Sequence, residues 1–284
     1  MSAPLVMIHG FAGSPASWDE VVALLPAAGT VIRPVLLGHD PAMTPPPPSV
    51  RPASPSAQAD RDPAVAGVDR GVPPEGDRDS FVTEVDRLAA LVTERASSGV
   101  HLVGYSLGAR LALGMLVRHP VLACSATLIG VNPGLADDSQ RLARRDSDEG
   151  WARQLEDEGL EGFLAAWQTQ PLFAGQRRLS AAAQGRQDAI RARLDPRGLA
   201  VAMRRLSLGA MPDWWPELSG ITVPVTLVAG AADEKFLAMA ARAAAELPHG
   251  RFHVVAGAGH NVVLERPLAI AKMLRATVED GGAQ

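Results

Sequence analysis

The sequence predicts an α/β fold: a mostly parallel sheet with helices on both faces and a helical cap inserted between two strands. Three observations carry this expectation. Short apolar runs alternate with stretches of helical periodicity, the pattern of right-handed βαβ crossovers. One long interval, 132–219, holds several helical patterns and no convincing strand. The composition, 47% hydrophobic and 20% charged over 284 residues, is that of a globular chain with enough material for one large domain or two small ones.

Taken in order, the strand candidates are 5–8, 31–37, 100–105, 126–129, 223–229 and 251–255, each a short run rich in Val, Ile and Leu. Between the first two, 17–25 is helical in pattern, with Ser14 and Pro15 as start signals. Residues 81–96 place Phe81, Val85, Leu88, Leu91 and Val92 on one face, with Ser80 as the expected N-cap. A helix over 107–118 follows the third strand directly, and 235–247 and 267–278 complete the alternation. Inside the helical interval the patterns run over 139–155, 160–168, 177–193 and 199–206. The expected organisation is therefore a core of 1–131 and 220–284 with a helical cap, 132–219, over the strands' C-terminal edge, where open α/β sheets place their ligands. Ten of the 23 prolines fall between Asp40 and Asp79, in a segment with almost no large apolar residues. Such a stretch cannot offset its ordering entropy by burial, so 40–79 reads as a disordered or PPII-like insertion.

Charge narrows the partners. Lys+Arg 27 against Asp+Glu 31 gives a net charge of -4, which offers no electrostatic reason to expect nucleic acid or an anionic membrane. The single cysteine, Cys124, excludes an intramolecular disulfide and a Cys-rich metal site and fits a reducing, cytoplasmic compartment. The first residues lack the basic region of a signal peptide. No stretch approaches the ~20 apolar residues of a membrane span. Oligomeric state is not readable from these features.

The sharpest local signal is Gly104-Tyr105-Ser106-Leu107-Gly108, between an apolar run and a helical pattern. In this G-x-S-x-G arrangement the serine sits on a tight strand-to-helix turn with its hydroxyl exposed, and side chains at the glycines would clash. The unsatisfied N–H groups at the start of the following helix point toward developing negative charge. Such a serine needs partners in the order serine, acid, histidine. Of the seven histidines, His260 lies in a small-residue loop just after the last strand candidate. The loop after the preceding strand offers Asp233 and Glu234; Asp233 is preferred, because Glu234 would open the next helix, where the dipole already accounts for an acid. The second oxyanion donor belongs to the loop after the first strand, His9-Gly10-Phe11-Ala12-Gly13, so the N–H groups of Phe11 and Leu107 are the candidates.

From residue 5 to about 278, with the Pro-rich segment outside the match, the chain resembles the α/β-hydrolase superfamily. A narrower resemblance rests on further runs in order. They are Gly104-Tyr105-Ser106-Leu107-Gly108-Ala109-Arg110, Asn132-Pro133-Gly134-Leu135 and Gln140-Arg141-Leu142-Ala143-Arg144-Arg145. Phe163-Leu164-Ala165-Ala166-Trp167, Gln170-Pro171-Leu172-Phe173, Asp233-Glu234-Lys235-Phe236 and Ala258-Gly259-His260-Asn261 follow. Together they look like the 2-succinyl-6-hydroxy-2,4-cyclohexadiene-1-carboxylate synthases of menaquinone biosynthesis. One run departs: where that family has Pro-Gly-His-Gly, this chain has Leu37-Gly38-His39-Asp40.

The resemblance implies a lyase that eliminates pyruvate from 2-succinyl-5-enolpyruvyl-6-hydroxy-3-cyclohexene-1-carboxylate, with no metal or organic cofactor. It also implies substrate contacts from Tyr105, Arg110, Arg144, Arg141 and Trp167. The residues bear on this independently. Arg141 and Arg145 repeat at i, i+4, an unfavourable like-charge spacing, with Arg144 adjacent and Arg110 one turn beyond Ser106. A small-molecule substrate with several carboxylates would use such a cluster, since arginine pairs carboxylate bidentately. The alternative is a solvated face neutralised by Asp137, Asp138, Asp146 and Asp148; for Trp167 it is a core aromatic on an amphipathic helix. Two other functions stay open: a serine hydrolase acting on an anionic substrate, and a non-catalytic ligand receptor.

Overall fold

The computed structural model describes residues 3–26, 29–39, 78–96 and 99–280. The Pro-rich insertion expected at 40–79 lies almost entirely outside the described residues.

Six strands form one sheet in the order β2-β1-β3-β4-β5-β6, every neighbouring pair parallel. Strand β1 (Leu5–Ile8) is buried along its whole length, as expected for a central strand covered on both faces. A 3-10 turn at Pro15–Trp18 and helix α1 (Asp19–Ala23) follow, where the sequence predicted one continuous helix. Ser14 opens this segment as expected, accepting the Ala16 N–H in a capping box with Ser17. Strand β2 is only Val31–Ile32, against the expected 31–37. Pro34 carries no N–H for a ladder, and the chain turns off the sheet before Leu37.

Helix α2 (Arg78–Arg95) begins before Ser80, so Ser80 is not its cap. Instead its hydroxyl donates to the Arg205 carbonyl, 3.0 Å away across the molecule. Strand β3 (Val100–Tyr105), helix α3 (Leu107–Arg118) and strand β4 (Ala123–Ile129) follow, β4 starting earlier than the sequence pattern suggested. Helices α4 (Asp138–Asp157) and α5 (Gly159–Trp167) come next. A 3-10 segment at Pro171–Arg178, α6 (Ala181–Arg191) and α7 (Pro196–Arg205) complete the helical interval. Ser180 caps α6 by accepting the Ala183 N–H, which splits the single helix predicted over 177–193 into a 3-10 segment and a shorter helix. The sheet resumes with β5 (Val225–Gly230), α8 (Glu234–Glu246) and β6 (Gly250–Val255). A one-turn helix α9 (Val262–Glu265), absent from the sequence expectation, and α10 (Pro267–Asp280) close the chain.

Alternation along the strands sorts the core onto two faces. Val6, Ile8, Leu102, Leu128 and Leu227 pack with Phe81, Val85, Leu88, Leu111 and Met115 of α2 and α3. Leu5, Met7, Val103, Ile129 and Val228 pack on the other face with Trp18, Val21, Ile270 and Leu274. A third apolar cluster joins the inserted helices through Ala152, Leu155, Phe163, Leu199 and Met203, and it also takes in Ala12 from the loop after β1. The inserted helices therefore pack onto the C-terminal end of the sheet. The strand order reverses between β1 and β3, so the loops leaving these two neighbours open at a topological switch point, where such sheets bind ligands.

Candidate active site

Ser106 stands between β3 and α3 with φ 52 and ψ -110, one of two non-glycine residues with positive φ among those described; Ala12 is the other. A side chain in this region is strained and persists only when its surroundings over-determine it. Here the surroundings are steric. A Cβ on Gly104 would meet the Ala109 Cα at 2.5 Å, and one on Gly108 would lie 2.1 Å from the Ile8 carbonyl oxygen. The two glycines let the start of α3 press against the end of β1. The Ser106 N–H also donates to the Ile129 carbonyl at 2.8 Å, which ties the turn to β4. The serine side chain makes no capping bond to its own helix.

The Ser106 Oγ lies 3.1 Å from His260 Nε2, and His260 Nδ1 lies 2.7 Å from Asp233 Oδ2. The carboxylate faces Nδ1, so the proton sits there and Nε2 presents its lone pair to the serine hydroxyl. Asp233 caps α8, accepting the Phe236 N–H, and Phe236 lies against the imidazole with ring centroids 4.4 Å apart. Both side chains are almost wholly buried, at 2% and 9% exposure, which removes water from the Asp233–His260 hydrogen bond. Glu265 of α9 holds the histidine loop by accepting the Gly259 N–H at 2.7 Å. The three residues anticipated as a triad thus meet in hydrogen-bonding order, and Glu234 begins α8 away from the relay.

Leu107 is the first residue of α3, so its N–H has no acceptor within the helix. Phe11 follows β1, whose Ile8 is in register with Gly104 of β3, so the loops bearing Phe11 and Leu107 are neighbours. The turn after β1 is closed by the Gly13 N–H donating to the Gly10 carbonyl at 3.1 Å.

A cavity of about 360 Å³ opens beside the triad. Its wall includes Tyr105 and Asn261, the chain neighbours of Ser106 and His260, together with Phe11, Trp167, Phe173 and Arg191. Trp167 stacks on Phe163 at 5.2 Å and tilts against Phe11 at 5.7 Å, so it is both a core aromatic and part of the cavity wall. Burial pushes the Tyr105 phenol well above its usual range, with Glu265 and Asp233 adding to the shift, so it stays protonated and able to donate.

The arginines divide. Arg110 is half-buried, donates to the Leu206 carbonyl at 3.0 Å and lies 5.8 Å from the Phe81 ring. Burial, with the nearby Arg144 cation, lowers its guanidinium to about 9, still charged at neutral pH. Arg144 donates through Nε to both oxygens of the buried Asp148, at 2.8 and 2.9 Å. Arg141 donates to the Leu135 carbonyl, and Arg145 to the Gly209 carbonyl. None of these four lines the cavity beside the triad. Arg191 does, although no motif in the sequence marks it. It is 4% exposed, its Nε has no hydrogen-bond partner among the described residues, and burial lowers its guanidinium below the ordinary value. Arg191, one of several arginines along and after a polar helix, carries no sequence signal of this placement. Among the described residues no cluster of His, Cys, Asp and Glu could hold a metal, and no helix is long and apolar enough to cross a membrane.

Comparison with known proteins follows the same lines. Residues 5–273 match the alpha/beta hydrolase family. The chain is similar to 2-succinyl-6-hydroxy-2,4-cyclohexadiene-1-carboxylate synthase of Enterobacter sp. (strain 638), 32% identical over 97% of this chain and 93% of the relative. The enzyme of the same name from Serratia proteamaculans (strain 568) is 38% identical over 61% of this chain and 66% of the relative. Among solved structures, MenH from S. aureus superposes with a TM-score of 0.82 at 25% identity, covering 99% of this chain and 94% of that one. The chain belongs to the alpha/beta hydrolase family and, within it, groups with the 2-succinyl-6-hydroxy-2,4-cyclohexadiene-1-carboxylate synthases.

Proposed function

We propose that this protein is a carbon–oxygen lyase of menaquinone biosynthesis. It would eliminate pyruvate from 2-succinyl-5-enolpyruvyl-6-hydroxy-3-cyclohexene-1-carboxylate to give 2-succinyl-6-hydroxy-2,4-cyclohexadiene-1-carboxylate. The observation that carries this reading is the relay from Ser106 through His260 to Asp233 in a chain similar to these synthases over nearly its full length. His260, oriented by Asp233, takes the Ser106 proton; the serine oxygen then takes a ring proton of the substrate. The electrons of the C2–H bond form the C2–C3 double bond, the 3,4 double bond shifts to C4–C5, and the C5–O bond breaks; the enolpyruvate leaves with that electron pair, takes the proton held on His260 and ketonises to pyruvate. The N–H groups of Phe11 and Leu107 stabilise the negative charge that develops on the substrate oxygen.

The inserted helices, 132–219, serve as a cap that closes the site. Tyr105 and Trp167 border the bound substrate, and Arg191 is placed to meet one of its carboxylates from the cavity wall. Arg110, Arg141 and Arg144 would contact substrate only by leaving or sharing their present partners. A cytoplasmic location fits the single cysteine. Supplying the enolpyruvyl substrate alongside a set of aryl esters tests the reading. Release of pyruvate without phenol supports it, phenol without pyruvate indicates a hydrolase, and neither product indicates a receptor.

A further inference from the structure

His39 reaches the active-site loop from an element that no part of the relay uses. It stands at the end of the described segment after β2, 3% exposed. Its Nε2 lies 3.1 Å from the Ala12 N–H, and its Nδ1 lies 3.0 Å from the Leu37 carbonyl oxygen. These partners fix the tautomer. A carbonyl can only accept, so Nδ1 carries the proton; a backbone N–H can only donate, so Nε2 accepts it. Two aromatic neighbours hold the ring in place: His9 at 5.1 Å and Phe11 at 5.4 Å, both edge-on. Burial keeps both imidazoles neutral, lowering His39 to about 4 and His9 to about 3.

The residue it holds is the strained one. Ala12 sits at φ 53, in the left-handed region that a side chain disfavours. Rotating the peptide between Phe11 and Ala12 would relieve that strain and redirect the loop. Such a rotation breaks the Ala12–His39 hydrogen bond and leaves a buried acceptor unmatched. The cost of that loss opposes the strain.

We propose that His39 is a positioning residue: by accepting the Ala12 N–H it locks the turn after β1 in the conformation that aims the Phe11 N–H at the reacting oxygen. The proposal rests on the lyase reading for the identity of the reaction and on geometry alone for the lock. It links the turn after β2, at the sheet edge, to the chemistry at the switch point.

The test uses the full chain and three variants, His39→Leu, His39→Gln and His39→Leu with Ala12→Gly, each with its melting temperature recorded. Glutamine places an amide oxygen near the position of Nε2 and can accept the same N–H. Glycine at 12 adopts positive φ freely. Pyruvate release by His39→Leu should fall about tenfold or more in kcat with KM within about twofold, as for weakened transition-state donation. His39→Gln should recover most of the loss, and Ala12→Gly should recover part of it. Equal losses in the leucine and glutamine variants at unchanged melting temperature, or a loss confined to KM, would overturn the proposal. Histidine-selective ¹⁵N NMR of the unmodified protein at neutral pH reads the lock without turnover: Nε2 of His39 should be the bare nitrogen, and a proton on Nε2 would contradict the assignment. Should the unmodified protein release no pyruvate, the lyase reading fails by itself. The variants are then ranked on aryl-ester cleavage, which draws on the same oxyanion loop, with the same order expected.

Discussion

Two arginine-bearing regions lie near the triad, and they differ in what their charges already touch. On α3 and α4, Arg110, Arg141, Arg144 and Arg145 are bound to the Leu206, Leu135 and Gly209 carbonyls and to Asp148, and none lines the cavity. On the cavity wall, Arg191 keeps a buried Nε with no partner among the described residues. The first group is conspicuous in the sequence because Arg141, Arg144 and Arg145 sit within one helical turn; Arg191 is silent because arginines spaced along a polar helix are ordinary. Crowded cations can serve as ties between helices, whereas a buried donor that faces a cavity is a place where a ligand gains most. Backbone geometry sets both regions apart from the triad, which is held by steric contacts that few substitutions could satisfy.

That contrast orders the expected effects. Ser106→Ala or His260→Ala should lower kcat by several orders of magnitude with the melting temperature nearly unchanged, and the double variant should be little worse than either single one. Multiplicative losses would mean that the two residues do not share a proton relay. Arg191→Gln should lower kcat/KM for the anionic substrate by about tenfold or more, the worth of a charge-assisted hydrogen bond of ~1.5–3 kcal/mol, with little change on a neutral aryl ester. An equal loss on both substrates would return Arg191 to a structural role.

Arg144→Ala should act on the other side of the comparison. It strands the Asp148 carboxylate, 3% exposed, and should cost about 1–3 kcal/mol of stability, less than a fully buried pair because Arg144 is half-exposed. Chemical denaturation reads this directly. A variant with full stability and a tenfold lower kcat/KM would move Arg144 from helix tie to substrate contact.

A further effect concerns stability and pH alone and separates the buried histidines from the exposed surface. His9, His39 and His101 are held neutral, lowered by burial to about 3, 4 and 4. The unfolded chain binds their protons near pH 6.5 and the folded one does not, so stability falls as pH drops below 6.5. Each histidine contributes a slope of up to ~1.4 kcal/mol per pH unit, and its loss levels off once pH passes the folded value. Melting temperatures at pH 7 and pH 5 should therefore differ, with His101→Asn shrinking the gap. An unchanged gap would show that the buried imidazoles do not set the acid sensitivity.

The parts of this molecule that were readable in its sequence are those where local constraints act alone. Gly104 and Gly108 flank a serine because nothing larger fits, and that necessity appears as a motif. The order of Ser106, Asp233 and His260 follows from strand-ending loops, so the triad could be placed without coordinates. Strand β2 was overextended because Val35 and Leu36 look like strand residues, while Pro34 and the turn at Gly38 take them off the sheet. The 3-10 segment at Pro171–Arg178 and the one-turn α9 were missed because segments this short carry too little periodicity to register. The roles proposed for Arg191 and His39 depend on contacts across long sequence separations, which no local pattern encodes.

The most direct measurement of the central claim is the release of pyruvate from the enolpyruvyl cyclohexene carboxylate, followed with the unmodified protein and with Ser106→Ala at equal concentration. The account predicts rapid release with the unmodified protein, a diene product formed in equal amount, and a rate lower by several orders of magnitude in the variant. Release that persists undiminished in Ser106→Ala, or no release by the unmodified protein at any substrate concentration, would contradict it.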